Sequence, residues 1–147
     1  MKTYLIKKGK HYSLNIPKIF WNKEKVKITF RFDESAIYNI EGDDMKDWNK
    51  LFGFSRGFHH HNSVRLGWRW NNNTSKIEIT KYEYIDGVRK YYDPILSINP
   101  NETHSLEIEI ANKNSCKLGY SLHPFFGGNV PAPHDVRIQV TYSFNIY

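Results

Sequence analysis

The sequence predicts an all-β protein, an antiparallel β-sandwich of jelly-roll or concanavalin-like shape with about nine or ten strands. Apolar and polar residues alternate over many short stretches, which is the period of a strand with one buried face. Turn residues interrupt these stretches at intervals of roughly ten residues, the spacing of sandwiches and barrels. At 147 residues the chain has the length of one domain, so residues 1–147 are predicted to form a single sandwich.

The first part of the chain contains one clear strand and several weaker ones. Residues 10–20 include a proline and predict a short edge strand or a loop. Residues 25–32 alternate cleanly and predict a strand, and residues 35–40 predict a weaker one. Residues 47–54 fit either a helical turn or a strand, and the glycine-rich sequence after them favours the strand.

The rest of the predicted fold is organised around a strand at residues 63–70. Val64, Leu66, Trp68 and Trp70 are predicted to point into the core, since they alternate strictly. The intervening residues, Ser63, Arg65, Gly67 and Arg69, are predicted to lie on the opposite face, where they can meet a ligand.

The following two strands are predicted to complete an antiparallel meander. Residues 76–84 are rich in β-formers and return after an asparagine-rich hairpin loop. Asp86 and Gly87 then tolerate the positive φ angles of a type I′ turn, and residues 88–92 follow directly as the next strand.

The last third of the chain predicts further strands around one long loop. Strands are expected at residues 94–98, 105–111 and 115–122. The proline- and glycine-rich residues 123–135 form a long loop, and such loops are usually functional or packed on themselves. Residues 136–147 close the chain as a long strand in a sheet centre.

The charge is concentrated at the N-terminus. The net charge is +6, but residues 1–31 carry nine Lys or Arg against one acid, and the other 116 residues carry twelve bases and fourteen acids. This basic segment can dock on a polyanion or simply solubilise the protein. It lacks the arginine-rich or helical pattern of known nucleic-acid-binding proteins, so sequence-specific nucleic-acid binding is not predicted.

The rest of the composition indicates a cytoplasmic protein without a cofactor or membrane partner. No long apolar span or signal-peptide core is present, although release in a phage particle stays open. One cysteine excludes an intramolecular disulfide, and Cys116, in an alternating run, is predicted to pack in the core.

Three motifs resemble a group of small uncharacterised β-sandwich proteins from bacterial and phage genomes. They are WNKLFGF at residues 48–54, SVRLGWR at 63–69 and, most distinctively, HPFFGGNVPAPHD at 123–135. The resemblance spans roughly residues 47–140 and implies a jelly-roll or concanavalin-like shape. It carries over no catalytic residue, and the sugar binding of similar sandwiches is an analogy of fold alone.

Histidines are the first candidate site residues. In an extended backbone His59 and His61 fall on one side, and His123 or His134 with Asp135 could complete a metal site. Cupin-type metal proteins place a glutamate soon after His-x-His, and this chain does not. The histidines are therefore predicted as ligand-binding or hydrogen-bonding residues, and no metal is predicted.

Glu107 and Glu109 are the second candidate. They share one face of a strand about 7 Å apart, a spacing compatible with acid/base chemistry on a glycosidic bond. Concanavalin-like glycanases carry Glu-x-Asp-x-x-Glu, and the third acid is missing here. A solvent-facing strand explains the pair equally well.

Arg65, Arg69, Tyr82 and Tyr84 form the third candidate, a polar face of the central strands. Arginine forks and tyrosine rings suit sugar hydroxyls, carboxylates or a protein partner. The alternative is that these arginines pair with Glu78 or Glu83 across the strands.

These candidates predict a non-catalytic binding or assembly module that recognises a glycan or a protein partner. The predicted surface is the Arg/Tyr face with the adjacent His-containing loops, either in a lectin-like protein or in a phage particle. The alternative is a metal-dependent or glycan-cleaving enzyme. A homo-oligomer is also left open, with exposed aromatic residues such as Trp21, Phe58 and Phe125 buried between protomers.

Overall fold

The computed structural model describes residues 1–145, which form eleven β-strands and two short 3₁₀ turns. The strands are β1 (Lys2–Ile6), β2 (Ile19–Trp21), β3 (Lys25–Phe32), β4 (Asn49–Ser55), β5 (Ser63–Asn71), β6 (Lys76–Ile85), β7 (Val88–Lys90), β8 (Leu96–Ile98), β9 (Thr103–Glu109), β10 (Leu118–Leu122) and β11 (Val136–Asn145). The 3₁₀ turns, Glu34–Ala36 and Gly42–Lys46, lie between β3 and β4.

Two antiparallel sheets form the sandwich. The four-stranded sheet has the order β1-β11-β3-β9. The seven-stranded sheet has the order β2-β10-β4-β5-β6-β7, with β8 paired to β6 beside this path. The predicted all-β sandwich is confirmed, with eleven strands in place of nine or ten.

The core lies between the two sheets and is built by the alternation seen in the sequence. Val64, Leu66 and Trp68 of β5 are fully buried, as are Ile28 and Phe30 of β3. Burying side chains of this size stabilises the fold by about 1.5–3 kcal/mol each. The opposite face of β5 is therefore turned away from the core, as predicted.

The β5–β6–β7 meander is confirmed by continuous antiparallel pairing. Asp86 and Gly87 have φ angles of 49° and 83°, as a type I′ turn requires. The long loop of residues 123–135 packs on the body of the protein, since Phe126 is 1% exposed and stacks edge-on against Trp68.

Two strand assignments differ from the prediction, and the end of a third lies outside the described residues. Residues 35–40 are not a strand, because Asp33 accepts the Ser35 N–H at 2.8 Å and starts a 3₁₀ turn. β1 was not predicted, although Tyr4 and Ile6 are buried where it pairs with β11. The last two residues of the predicted final strand, 146 and 147, lie outside the described residues.

Cys116 is exposed, so the prediction that it packs in the core is wrong. The reason is that β10 begins only at Leu118. The residues before it form a turn in which Asn112 accepts hydrogen bonds from Asn114 and Ser115.

The surface of the protein exposes several large apolar side chains, three of them in the N-terminal part of the chain. Leu14, Ile16 and Trp21 are 84%, 88% and 66% exposed, and Phe58 is 62% exposed. These exposures are compatible with a homo-oligomer, which stays a prediction. The described part of the chain holds no helix with the length and apolarity needed to cross a bilayer.

Candidate functional site

The candidate site is a cleft of about 200 Å³ on the outer face of the seven-stranded sheet. Its basic and imidazole side chains are Lys50, Arg65, His59, His60 and His123. Its hydroxyl-bearing and apolar side chains are Ser63, Tyr82, Tyr84, Leu122 and Phe125. These ten residues are called the cleft below, and none of them is an acid.

The pairing of β5 with β6 sets the floor of the cleft. Arg65 lies opposite Tyr82 and Ser63 lies opposite Tyr84, so alternation places all four side chains on the face away from the core. β4 approaches closely because Gly53 lies beside Arg65. A Cβ on Gly53 would come within 2.3 Å of the Arg65 Cβ, so a side chain there would push the strands apart.

Arg65 is held rigidly and is only 8% exposed. Its Nη2 donates to the carbonyl oxygens of Leu51 at 3.3 Å and His123 at 2.5 Å, and its Nε is buried without a partner. Burial lowers the pKa of Arg65 to about 10, which leaves the guanidinium charged at neutral pH. The charge is therefore fixed at the base of the cleft.

Lys50 adds the second positive charge. Burial, Arg65 and the nearby Arg89 together lower the pKa of Lys50 to about 8. Its Nζ lies 5.0 Å from the Tyr82 ring centroid and 5.4 Å from that of Phe125. Phe125 is placed there because its backbone exchanges two hydrogen bonds with Lys50, at 2.8 and 3.0 Å.

A closed loop places two histidines at the rim of the cleft. The Arg56 N–H donates to the Asn62 carbonyl at 2.9 Å, which brings the two ends of the loop together. The Arg56 side chain is 2% exposed and donates to three oxygens of neighbouring loops. Asn62 accepts the Asp86 N–H through its side chain, so the loop is also tied to the type I′ turn.

The loop is a turn and not an extended strand, which corrects the predicted pairing of His59 with His61. The N–H groups of His61 and Asn62 both donate to the Phe58 carbonyl, at 2.9 and 3.1 Å. As a result His59 and His60 line the cleft together, with ring centroids 4.1 Å apart. His61 is exposed on the other side, beside Gly87.

Tyr120 fixes the orientation of His59. Its hydroxyl accepts the His59 backbone N–H at 3.1 Å and lies 2.8 Å from Nδ1. The hydroxyl hydrogen is therefore free to donate to Nδ1, and the proton of the neutral ring then sits on Nε2. Burial, with His60 and Arg65 nearby, lowers the pKa of His59, so the ring is neutral at pH 7.

His123 lies at the inner end of the cleft, packed against the rings of Tyr4 and Phe52. Its Nε2 is 2.6 Å from the Ser121 hydroxyl. Burial lowers the pKa of His123 to about 4, with Lys2, Arg65 and Lys18 acting in the same direction. His123 is therefore a neutral wall of the cleft at physiological pH.

Besides His61, two predicted site residues do not reach the cleft, His134 and Arg69. His134 is bound to the Ser35 carbonyl, with Nε2 2.7 Å away, in the loop before β11. Arg69 pairs with Glu78 at 2.8 Å and stacks on Trp48 at 3.9 Å, as the alternative of cross-strand pairing predicted. Among residues 1–145, no group of three or more His, Cys, Asp or Glu side chains is arranged to hold a metal ion.

Glu107 and Glu109 lie on the other sheet, away from the cleft. On β9 they lie directly opposite Lys27 and Lys25 of the neighbouring strand β3, on the face turned to solvent. Glu109 also forms an ion pair with Lys113, which lowers the pKa of the Glu109 carboxyl. A general acid in glycoside hydrolysis needs a raised pKa, so Glu109 has the opposite electrostatics.

A second concavity, called the groove below, adjoins the cleft at Lys50. It has a volume of about 370 Å³, and its lining includes Lys46, Asp47, Trp48, Lys50, Arg89 and Tyr91. The Arg89 guanidinium lies 4.2 Å from the Tyr82 ring centroid and 4.4 Å from that of Tyr91. Arg89 thus bridges a ring of the cleft and a ring of the groove.

Five of the eight predicted binding residues line the cleft: Arg65, Tyr82, Tyr84, His59 and His123. The predicted binding residues did not include Lys50, His60, Ser63, Leu122 and Phe125. Ser63 was nevertheless predicted to lie with Arg65 on the ligand-facing side of its strand. Lys50 and Phe125 could not be predicted, because a backbone pairing between distant segments brings them together.

Comparison with family models, curated proteins and solved structures finds no match to this chain.

Proposed function

We propose that the protein is a non-catalytic binding module whose cleft recognises the carboxylate of an acidic glycan. One observation carries the proposal. Lys50 and Arg65 line the cleft, no acid lines it, and neither cation forms an ion pair with any residue from 1 to 145.

The two charges create a site that favours an anion. Lys50 and Arg65 are partly or fully removed from water and repel each other, which is reflected in the lowered pKa of Lys50. A carboxylate between them would relieve this repulsion. Both hydrogen bonds of Arg65 leave from Nη2, so Nη1 is the guanidinium nitrogen available to a ligand.

The uncharged groups of the cleft suit sugar hydroxyls. His59 offers an Nε2–H donor, while Ser63 and Tyr84 carry hydroxyls that donate and accept. An Asp or Glu side chain of a protein partner would satisfy the charges equally well but carries no hydroxyl of its own beside the carboxylate for these groups. The glycan is therefore the better fit of the two ligand classes that the sequence predicts.

The test is an NMR titration of the ¹⁵N-labelled protein with D-galacturonic acid and, in parallel, neutral D-galactose. We expect backbone shifts around the cleft with the acid and at least tenfold weaker binding of the neutral sugar, because a charge-assisted hydrogen bond is worth about 1.5–3 kcal/mol. Lys50→Met should weaken binding of the acid by about tenfold or more.

Lys27→Met is the matched control, since Lys27 is exposed on the other sheet, and it should bind like the wild type. Equal affinity for the acid and the neutral sugar would refute the proposal. So would unchanged binding in Lys50→Met.

The pH dependence gives a second test. Because the pKa of Lys50 is about 8, its positive charge is lost as the pH rises from 7 to 9. Affinity for galacturonic acid should fall across this interval, whereas a ligand held by neutral contacts alone would bind equally at both ends.

A further inference from the structure

We infer that the cleft and the groove together bind a chain of acidic sugars, with one carboxylate at Lys50 and Arg65 in the cleft and another at Arg89 in the groove. This inference rests on the proposed function and adds the length and charge of the ligand to it.

The two concavities form a continuous surface. Lys50 lines both of them, and Arg89 is in contact with Tyr82 of the cleft and Tyr91 of the groove. A ligand that leaves the cleft past Tyr82 therefore meets Arg89 next. A single sugar would occupy only the cleft, whose volume is about half that of the groove.

The charge of the groove has the same sign as that of the cleft. Lys46, Lys50 and Arg89 line it against one acid, Asp47. Burial and the nearby carboxyl of Asp44 raise the pKa of Asp47, while Lys50 and Arg89 act in the opposite direction. Arg89 forms no ion pair within the described chain, and its Nε is buried without a partner.

The aromatic rings favour a glycan over a single-stranded nucleic acid. Nucleic-acid readers present open aromatic faces on which bases stack. Here Arg69 covers one face of Trp48 at 3.9 Å, and Arg89 lies against the rings of Tyr82 and Tyr91. Apart from the exposed ring of Tyr91, the groups left for a ligand are cations and hydroxyls, which match carboxylates and sugar hydroxyls.

The experiment compares galacturonic acid with its dimer and tetramer by calorimetry and NMR, in EDTA-containing buffer that removes calcium. We expect the tetramer to bind at least tenfold more tightly than the monomer and to shift resonances in both the cleft and the groove. Arg89→Gln should reduce tetramer binding to nearly the level of the monomer.

Tyr91→Ala provides a second groove variant that should fold normally, since Tyr91 is 76% exposed, and it should weaken the tetramer alone. If the tetramer binds no more tightly than the monomer while Lys50→Met still weakens the monomer, the chain-binding inference is wrong and the proposed function stands. If neither acid binds, both are wrong. If a thymidine tetranucleotide binds more tightly than the tetramer at the same site, a nucleic-acid ligand replaces the glycan and the inference is overturned.

Discussion

Acidification from pH 7.5 to 4.5 is expected to destabilise the protein through His123. In the folded protein the Ser121 hydroxyl accepts the Lys18 N–H at 2.8 Å and lies 2.6 Å from His123 Nε2. The hydroxyl is therefore oriented to donate to Nε2, and a proton added at that nitrogen would oppose it. Burial and the surrounding cations act in the same direction, which is why the pKa of His123 falls to about 4.

The sign and size of the effect follow from this pKa. Above pH 6.5, the usual His value, the ring is neutral in both states, so His123 contributes no pH dependence. Between pH 6.5 and about 4 the unfolded chain takes up a proton that the folded protein does not, and stability falls as the pH falls. The upper bound is about 3 kcal/mol. Because the ring is partly exposed, solvent screening should reduce the loss to about 1–2 kcal/mol.

Urea unfolding at pH 7.5, 6.0 and 4.5 measures the effect in the wild type and in His123→Phe, which keeps a ring between Tyr4 and Phe52. The variant should lose about 1–2 kcal/mol less than the wild type over this range. His59, whose pKa is also lowered, is common to both proteins and cancels in the comparison. His134→Gln is the control and should keep the full loss. Equal losses in the wild type and His123→Phe would refute the reasoning.

Three further substitutions test individual contacts. Arg56→Met should lower the free energy of unfolding by roughly 3 kcal/mol or more, because it removes a buried guanidinium that donates to three oxygens; a urea titration showing less than about 1 kcal/mol would contradict this. Gly119→Ala should prevent native pairing of β10 with β4, since the added Cβ would lie 1.8 Å from a carbonyl oxygen of β4. If the variant unfolded at the same temperature as the wild type in a thermal melt, this clash would be excluded. Tyr92→Phe removes the hydroxyl that donates to Glu83, a carboxylate only 1% exposed, and should cost about 1–3 kcal/mol. Tyr91→Phe is its matched control and should stay within about 0.5 kcal/mol of the wild type, so equal stabilities of the two variants would show that the hydroxyl is dispensable.

The strands that sequence reasoning found are those whose own residues alternate. β3 buries every second side chain, and β5 carries an apolar core residue at every second position, as does β6 at Ile77 and Ile79, so period and composition are sufficient. β1 buries only Tyr4 and Ile6 and is held by its pairing to β11, which no local pattern reveals. A strand of that kind is a tertiary feature, and its prediction requires the partner to be known.

The residues of the candidate site also divide into those that a local sequence pattern predicts and those that depend on tertiary contacts. Arg65, Tyr82 and Tyr84 were found because adjacent strands joined by a short loop bring one alternating face together. The orientation of the histidines depends on whether the Phe58 carbonyl closes a turn, and the sequence alone does not decide between a turn and an extended loop. The position of Lys50 in the cleft depends on its pairing with the distant loop of residues 123–135, and the sequence alone does not predict that pairing.

The position of β11 between β1 and β3 has a consequence for synthesis on the ribosome. β1 and β3 emerge early, yet the strand that joins them is made after all the others, and β9, the remaining neighbour of β3, is also late. During translation β3 therefore remains unpaired, with its apolar face exposed, until β9 and β11 have been synthesised. The β5–β6–β7 meander can form earlier from local contacts. The nascent chain should assemble its seven-stranded layer first and its four-stranded layer last, and until then it presents an aggregation-prone strand to chaperones.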